Sequence, residues 1–175
     1  MNKWVNPDCE ILAVHPTLQR FNNVFLPDAL EFFHSYFRNG ASWQFVTPFT
    51  RLFRDLSCHS DSEFFECKQE LEQLLLERDV CNLQIRAAKL FFDATTYETT
   101  PHADHLDIAA MMQIYLHSPT LQCPGTLFLD PVPYLIPFVE NSGYINFNWD
   151  QKQHQSNILA RGTRASLGLQ LAQLR

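Results

Sequence analysis

The sequence predicts an α+β domain with a mainly β core, its helices lying ahead of its strands. Three observations lead there. At about Leu83 the apolar pattern changes from helical spacing to short, strand-length runs. Those runs are punctuated by the turn-forming clusters Cys123-Pro124-Gly125, Asp130-Pro131-Val132-Pro133 and Asn141-Ser142-Gly143. The last run alternates cleanly. Arg164, Ser166, Gly168 and Gln170 fall on one face, with Thr163, Ala165, Leu167, Leu169 and Leu171 on the other.

The elements follow in chain order. Pro27 to Phe37 reads as a helix. Pro27 suits a first-turn position, Gly40 lies just past the end, and Leu30, Phe33 and Phe37 share a face. A second helix is expected over Ser62 to Arg78, with Asp61 or Ser62 as N-cap and Phe64, Leu71, Leu74 and Leu75 as its apolar stripe. Strands are expected over Gln84–Phe92, Ile108–Leu116, Thr126–Leu129, Leu135–Val139, Tyr144–Asn148, His154–Leu159 and Thr163–Leu171. A turn at Arg161-Gly162 should join the last two as antiparallel neighbours. Helices followed by about seven short strands describe a β core with helices packed outside it. A jelly roll closes such a set and leaves a pocket at one mouth, but another β sandwich has the same texture.

With 175 residues the chain fits one domain with one core, a helical N-terminal half over 1–82 and a β core over 83–175. Hydrophobic residues make up 46% and charged residues 18%, enough apolar material to exclude a disordered chain. The 15 Phe are read as core filling. A formal charge of -6 without a basic stripe argues against a nucleic-acid partner and against a membrane surface. No apolar run has membrane-spanning length, and the first residues lack the apolar centre of a signal peptide. Five cysteines, an odd number without C-x-x-C spacing, read as reduced thiols. The expected location is therefore cytoplasmic.

The chemistry-bearing residues lie in the second half. In a strand, residues i and i+2 share a face, so His102 and Asp104 can reach one ion together. A second imidazole must then come from a distant strand, and His154 is the candidate. Two imidazoles and one carboxylate suit ferrous iron with open positions, and also zinc. His105 and Asp107 form a second His-x-Asp and compete with the first pair. Arg164 offers a bidentate fork for a carboxylate, and Ser166 offers a hydroxyl on the same face. Arg161 competes with Arg164 but falls in the expected turn. The simpler role for Arg164 is a cross-strand ion pair.

The stretch from about Ala87 to Leu171 resembles the catalytic core of the 2-oxoglutarate/Fe(II)-dependent dioxygenases, particularly the small prolyl-hydroxylase-like branch. The resemblance rests on Pro101-His102-Ala103-Asp104, Tyr115-Leu116, Gly125-Thr126-Leu127, Phe147, the distal His154, and Arg164-Ala165-Ser166 ten residues beyond. It departs from the family in carrying Pro124-Gly125 where Gly-Gly is often found. It favours His102 over His105, because Tyr-Leu follows at the commoner family distance.

The resemblance implies a double-stranded β-helix, or jelly roll, with helices outside it. It implies iron(II) held by His102, Asp104 and His154. It implies 2-oxoglutarate held through Arg164, Ser166 and Tyr115, dioxygen as second co-substrate, and ascorbate as a reductant. The reaction would be hydroxylation of a C–H bond in a protein side chain, an amino acid or a small metabolite. His105, Asp107 and His117 are then expected behind the ligands or at the surface. The competing functions are a zinc-dependent hydrolase built on the same His/Asp cluster and a non-catalytic jelly-roll binding protein.

Overall fold

The computed structural model describes residues 3–38, 43–47, 50–56, 62–117, 125–129, 132–156 and 162–173. In chain order the elements are β1 (Glu10–His15), β2 (Leu18–Asn22), α1 (Pro27–Arg38), β3 (Gln44–Thr47), β4 (Arg51–Asp55), α2 (Ser62–Glu77) and β5 (Gln84–Asp93). Then come β6 (Ala110–His117), β7 (Thr126–Phe128), β8 (Tyr134–Ile136), β9 (Ser142–Phe147), β10 (His154–Ser156) and β11 (Arg164–Ala172).

The described residues form two antiparallel sheets. The larger has eight strands in the order β1-β2-β9-β6-β11-β5-β4-β3, and the smaller has three in the order β10-β7-β8. The backbone of His102 adds a bridge to His154 at the free side of β10. From β5 onward the chain passes back and forth between the sheets. β5, β6, β9 and β11 lie in the large one, and the His102 bridge, β7, β8 and β10 in the small one. This alternation is a jelly roll.

The large sheet has two unlike faces, set by residue alternation. On one face Ala165, Leu167, Leu169 and Leu171 of β11 join Met112, Ile114 and Leu116 of β6, Ala88 and Leu90 of β5, and Ile145 of β9 in a buried core. Both helices cover that face. Phe33 of α1 and Phe64, Leu71, Leu74 and Leu75 of α2 are buried in the same cluster, with Leu30 and Phe37 packed against it. Each fully buried Leu or Phe contributes about 1.5–3 kcal/mol relative to an exposed one. The other face looks toward the small sheet and is polar along β11, as its alternation predicts, while Leu18, Tyr115 and Tyr144 on it pack with Phe128 and Ile136 of the small sheet. Gly168 is small there for a reason: a Cβ would lie 2.7 Å from the Phe91 ring and 3.3 Å from the Met111 methyl.

The structure corrects two expectations. The first half carries four strands besides its helices. β1 and β2 extend the large sheet beside β9, and β3 and β4 extend it beside β5. The pairing of β10 and β11 is also different. They are not neighbours: β10 pairs with β7 in the small sheet, whereas β11 lies between β5 and β6 in the large one. The chain changes sheets between β10 and β11, so His154 and Arg164 stand on different sheets instead of sharing a ladder. Gly40, Asp61, Arg161, Cys58 and Cys123 lie outside the described residues.

Cys9, Cys67 and Cys81 are free thiols. Burial pushes the Cys9 thiol up to about 11, with Glu10 adding to the shift and Arg78 opposing it. Among the described residues no helix is long and apolar enough to cross a membrane.

Candidate functional site

His102 and His154 are brought together by the backbone. The N–H of each donates to the other's carbonyl, at 3.0 and 2.8 Å. Their ring centroids are 4.5 Å apart. Asp104, two residues along, brings Oδ1 to 3.9 Å from His154 Nε2. The three side chains offer ligand atoms that all lie within 4.8 Å of one another.

The imidazoles are also oriented. His102 Nδ1 lies 2.9 Å from the Thr100 carbonyl, and His154 Nδ1 lies 3.4 Å from the Lys152 carbonyl. A carbonyl only accepts, so Nδ1 carries a proton in both rings, which leaves Nε2 as the ring atom available to a ligand. Burial holds the His154 pKa below its usual value; the Asp104 carboxylate opposes this, and His102 adds to it. A neutral imidazole with an oriented Nε2 lone pair is the form that ligates a metal.

Two asparagines that sequence reasoning did not single out hold Asp104 in place. Asn148, in the 3-10 turn after β9, is buried. Its Nδ2 donates to the carbonyls of Asp104 at 3.2 Å, His105 at 2.7 Å and Ile108 at 3.2 Å. Its Oδ1 accepts from Gln151 at 2.8 Å. One carboxamide thus ties down the whole loop leaving the His-x-Asp segment. Asn146 of β9 is fully buried and reaches Asp104 Oδ2 with Nδ2 at 3.5 Å. Its own Oδ1 has no hydrogen-bond partner among the described residues. A polar pair interrupting the apolar Tyr144–Phe147 run was the available signal.

Arg164 stands at the start of β11, buried, with Nε donating to Asp93 Oδ2 at 2.9 Å. Asp93 is its partner in the β5–β11 ladder, so the cross-strand ion pair weighed from the sequence does form. Arg51 of β4 meets the same carboxylate, at 2.5 Å from Nε and 3.0 Å from its terminal nitrogen. These three groups, two guanidiniums and one carboxylate, sum to a formal charge of +1. Tyr97 covers them, its ring 4.0 Å from the Arg51 guanidinium and 5.6 Å from that of Arg164. Burial raises the Tyr97 phenol to about 12. Asp93 and Arg51 were not foreseen. Asp93 was legible only as the charged end of an apolar strand whose register sets it opposite Arg164.

Ser166 lies on the same face and accepts from Gln113 at 3.0 Å. Gln113 in turn accepts from the Tyr144 hydroxyl at 2.7 Å. Burial, with Tyr115 close by, keeps the Tyr144 phenol well above its ordinary pKa, so it stays a neutral donor. Tyr115 donates to Thr126 at 3.0 Å and stacks on Phe138 at 4.3 Å. His154, Arg164, Ser166 and Tyr115 are therefore buried together and Asp104 is half-buried beside them, whereas His102, held to His154 by the backbone bridge, is exposed.

His105 and Asp107 do not join them. They bond to each other in the open, with side chains 81% and 78% exposed. His117 is half exposed at the far end of β6, beside Glu140.

Neither protein-family models nor curated proteins match the sequence. Solved structures do match the fold. A prolyl-4-hydroxylase from Pseudomonas putida is 13% identical over 91% of this chain and 94% of its own, with a TM-score of 0.67. HygX from Streptomyces hygroscopicus, solved with nickel and 2-oxoglutarate bound, is 10% identical over 90% of this chain and 83% of its own, with a TM-score of 0.71. A prolyl hydroxylase from Trichoplax adhaerens, in complex with a peptide fragment of hypoxia inducible factor, is 15% identical over 89% of this chain and 83% of its own, with a TM-score of 0.66. At these identities the likeness is one of fold.

Proposed function

We propose that this chain is an iron(II)- and 2-oxoglutarate-dependent dioxygenase that hydroxylates a C–H bond, with release of succinate and carbon dioxide. The observation that carries the reading is the His102, Asp104 and His154 cluster of a jelly roll, ligand atoms within 4.8 Å, with His154 buried, Asp104 half-buried and His102 exposed. Ligation at about 2.0–2.2 Å to a shared ion needs donor atoms about 4 Å apart or less, which small side-chain rotations supply. Two neutral imidazoles and one carboxylate on one side of an ion leave its remaining positions open. Iron bound there supplies the activation of dioxygen, coupled to decarboxylation of the 2-oxo acid.

The chain's own part is binding, orientation and exclusion of water. The guanidinium of Arg164 pairs with the far carboxylate of 2-oxoglutarate, supported by the +1 charge of the Arg51–Asp93–Arg164 trio. The Ser166 hydroxyl adds a neutral donor, and Tyr115, once its hydroxyl turns from Thr126, adds a second. Asp93 fixes the Arg164 fork, and Asn148 and Asn146 fix Asp104. A zinc hydrolase would leave the buried Arg51–Asp93–Arg164 trio without a role, and a non-catalytic binder would not need the oriented imidazoles.

Among the substrate classes, a protein side chain is supported by the solved neighbours that are prolyl hydroxylases, one of them with a peptide. The test is incubation with iron, ascorbate and 2-oxoglutarate. Succinate release is followed, and candidate substrates are scored for the mass gain of one oxygen. Succinate formation by the wild type and not by His154→Ala is the expected result. Co-substrate that neither binds nor turns over would overturn the reading.

A further inference from the structure

We infer that the chain carries a second divalent-metal site, of the zinc type, on its outer surface, formed by His34, His117 and Glu140. These residues come from three separate places: His34 from α1, His117 from the end of β6, and Glu140 from the turn entering β9. Their ligand atoms all lie within 4.8 Å of one another. Two imidazoles and a carboxylate are a donor set that zinc and its neighbours among the divalent transition ions accept.

The spacing lies near that of a coordination sphere. With bonds of about 2.0–2.1 Å, tetrahedral ligand atoms sit about 3.4 Å apart. Here His117 Nδ1 is 3.4 Å from one Glu140 oxygen, and His34 Nε2 is 4.0 Å from the other. His34 Nε2 is also 3.2 Å from the Leu116 carbonyl oxygen. Without metal, Nε2–H donates to that carbonyl. An ion entering the site takes the place of this proton, which moves to Nδ1, and the carbonyl becomes an additional oxygen donor. The two rings stand at 70°, centroids 5.5 Å apart, so they converge without stacking.

The frame is built before any ion binds. Asn141, next to Glu140, has a left-handed backbone at φ 61. Its side chain accepts from the Phe25 N–H at 2.7 Å and donates to the Phe25 carbonyl at 2.9 Å, just ahead of α1. Its backbone N–H donates to the Tyr115 carbonyl of β6 at 2.8 Å. Asn141 therefore fixes the Glu140 turn to both elements that carry the imidazoles. The site is open to entry: the side chains of His34, His117 and Glu140 are 27%, 50% and 45% exposed. A surface cavity of about 260 Å³, lined by Glu31, His34, Phe37, Arg38 and His117, adjoins it and has room for a water ligand. An ion there would clamp α1 to the large sheet.

The test uses the full-length, metal-stripped chain, with zinc alone as probe and bound metal counted after equilibrium dialysis. In a His154→Ala background, which disables the interior cluster, one zinc per chain is expected to remain. Adding His117→Gln should weaken it on the order of a hundredfold, and Glu140→Gln should weaken it clearly. Zinc should raise the melting temperature of the chain with His117 and not of the His117→Gln chain. Circular dichroism confirms that each variant is folded. If His154→Ala does not fold, the wild-type background serves instead, where His117→Gln must lower the count by one ion. No zinc in the folded His154→Ala chain, or a count indifferent to both His117→Gln and Glu140→Gln, overturns the site.

Discussion

His102 and His154 are directly opposed residues of one antiparallel pair, each donating its N–H to the other's carbonyl. Such a pair holds two Cα atoms about 5.5 Å apart whatever the side chains do. The imidazoles are therefore positioned by main chain, and replacing one of them leaves the bridge standing. Alanine at His102, Asp104 or His154 is expected to abolish turnover and strongly weaken iron binding while the melting temperature stays near that of the metal-free wild type. His105→Ala should leave iron binding unchanged, because the His105 side chain is exposed and bonds to Asp107. Iron titration of the four variants checks this; a silent His102→Ala with a dead His105→Ala would place the metal on the other pair.

Arg164 and Asp93 should separate binding from stability. Arg164→Ala is expected to raise the 2-oxoglutarate requirement on the order of a hundredfold, since a charge-assisted bidentate pair in a buried site is worth a few kcal/mol. Iron affinity should hardly change. Asp93→Asn removes the carboxylate shared by two guanidiniums, and Asp93 is only 1% exposed. A loss of about 3 kcal/mol in urea unfolding is expected. Unchanged co-substrate affinity in Arg164→Ala would take that residue out of the pocket.

Asn148→Ala tests the loop clamp. One carboxamide satisfies the carbonyls of Asp104, His105 and Ile108. Its removal should cost about 1–3 kcal/mol of stability. Iron affinity should fall about 10-fold or more, because Asp104 loses its support. Isothermal titration with a redox-inert divalent ion reads the second effect, and denaturant unfolding the first. A destabilised variant with wild-type metal affinity would limit Asn148 to a structural role.

Acid should destabilise the metal-free chain through His154. Its folded pKa lies below the ordinary 6.5, chiefly through burial. The unfolded state therefore binds a proton that the native state resists, and ν_U exceeds ν_N between the folded pKa and 6.5. This contribution is fully present above pH 6.5 and is lost as pH falls toward the folded value. His154→Gln should flatten the stability profile in that window, measured by urea midpoints at stepped pH.

Much of this was legible in the sequence, because its signals are local. Pro27 opens α1, the Phe64–Leu75 stripe marks α2, and the Arg164/Ala165 alternation sorts β11 into a polar and an apolar face. The His102-x-Asp104 pair is local in the same way, whereas His154 was reached only through its spacing in the family resemblance. The four strands of the first half were not. They are edge additions held by ladder hydrogen bonds, so they leave weak apolar patterns: Leu12 is 41% exposed, Phe45 is 66% exposed, and every residue of β4 is only partly buried. Asp93, Arg51 and Asn148 were missed because their partners lie 71, 42 and 44 positions away in sequence. The pairing of β10 was missed because proximity in sequence suggests a hairpin where the chain changes sheets.

Arg51 makes the first half a contributor to the interior. It lies on β4, and its guanidinium reaches Asp93 only because β4 pairs with β5 in the register that sets the two opposite each other. A fragment beginning near Leu83 would keep every residue of the proposed metal and co-substrate set. It would also carry an Asp93–Arg164 pair reduced to neutrality, along a sheet edge stripped of its neighbour. For anyone grafting this pocket onto another scaffold, the smallest transferable piece starts at β4.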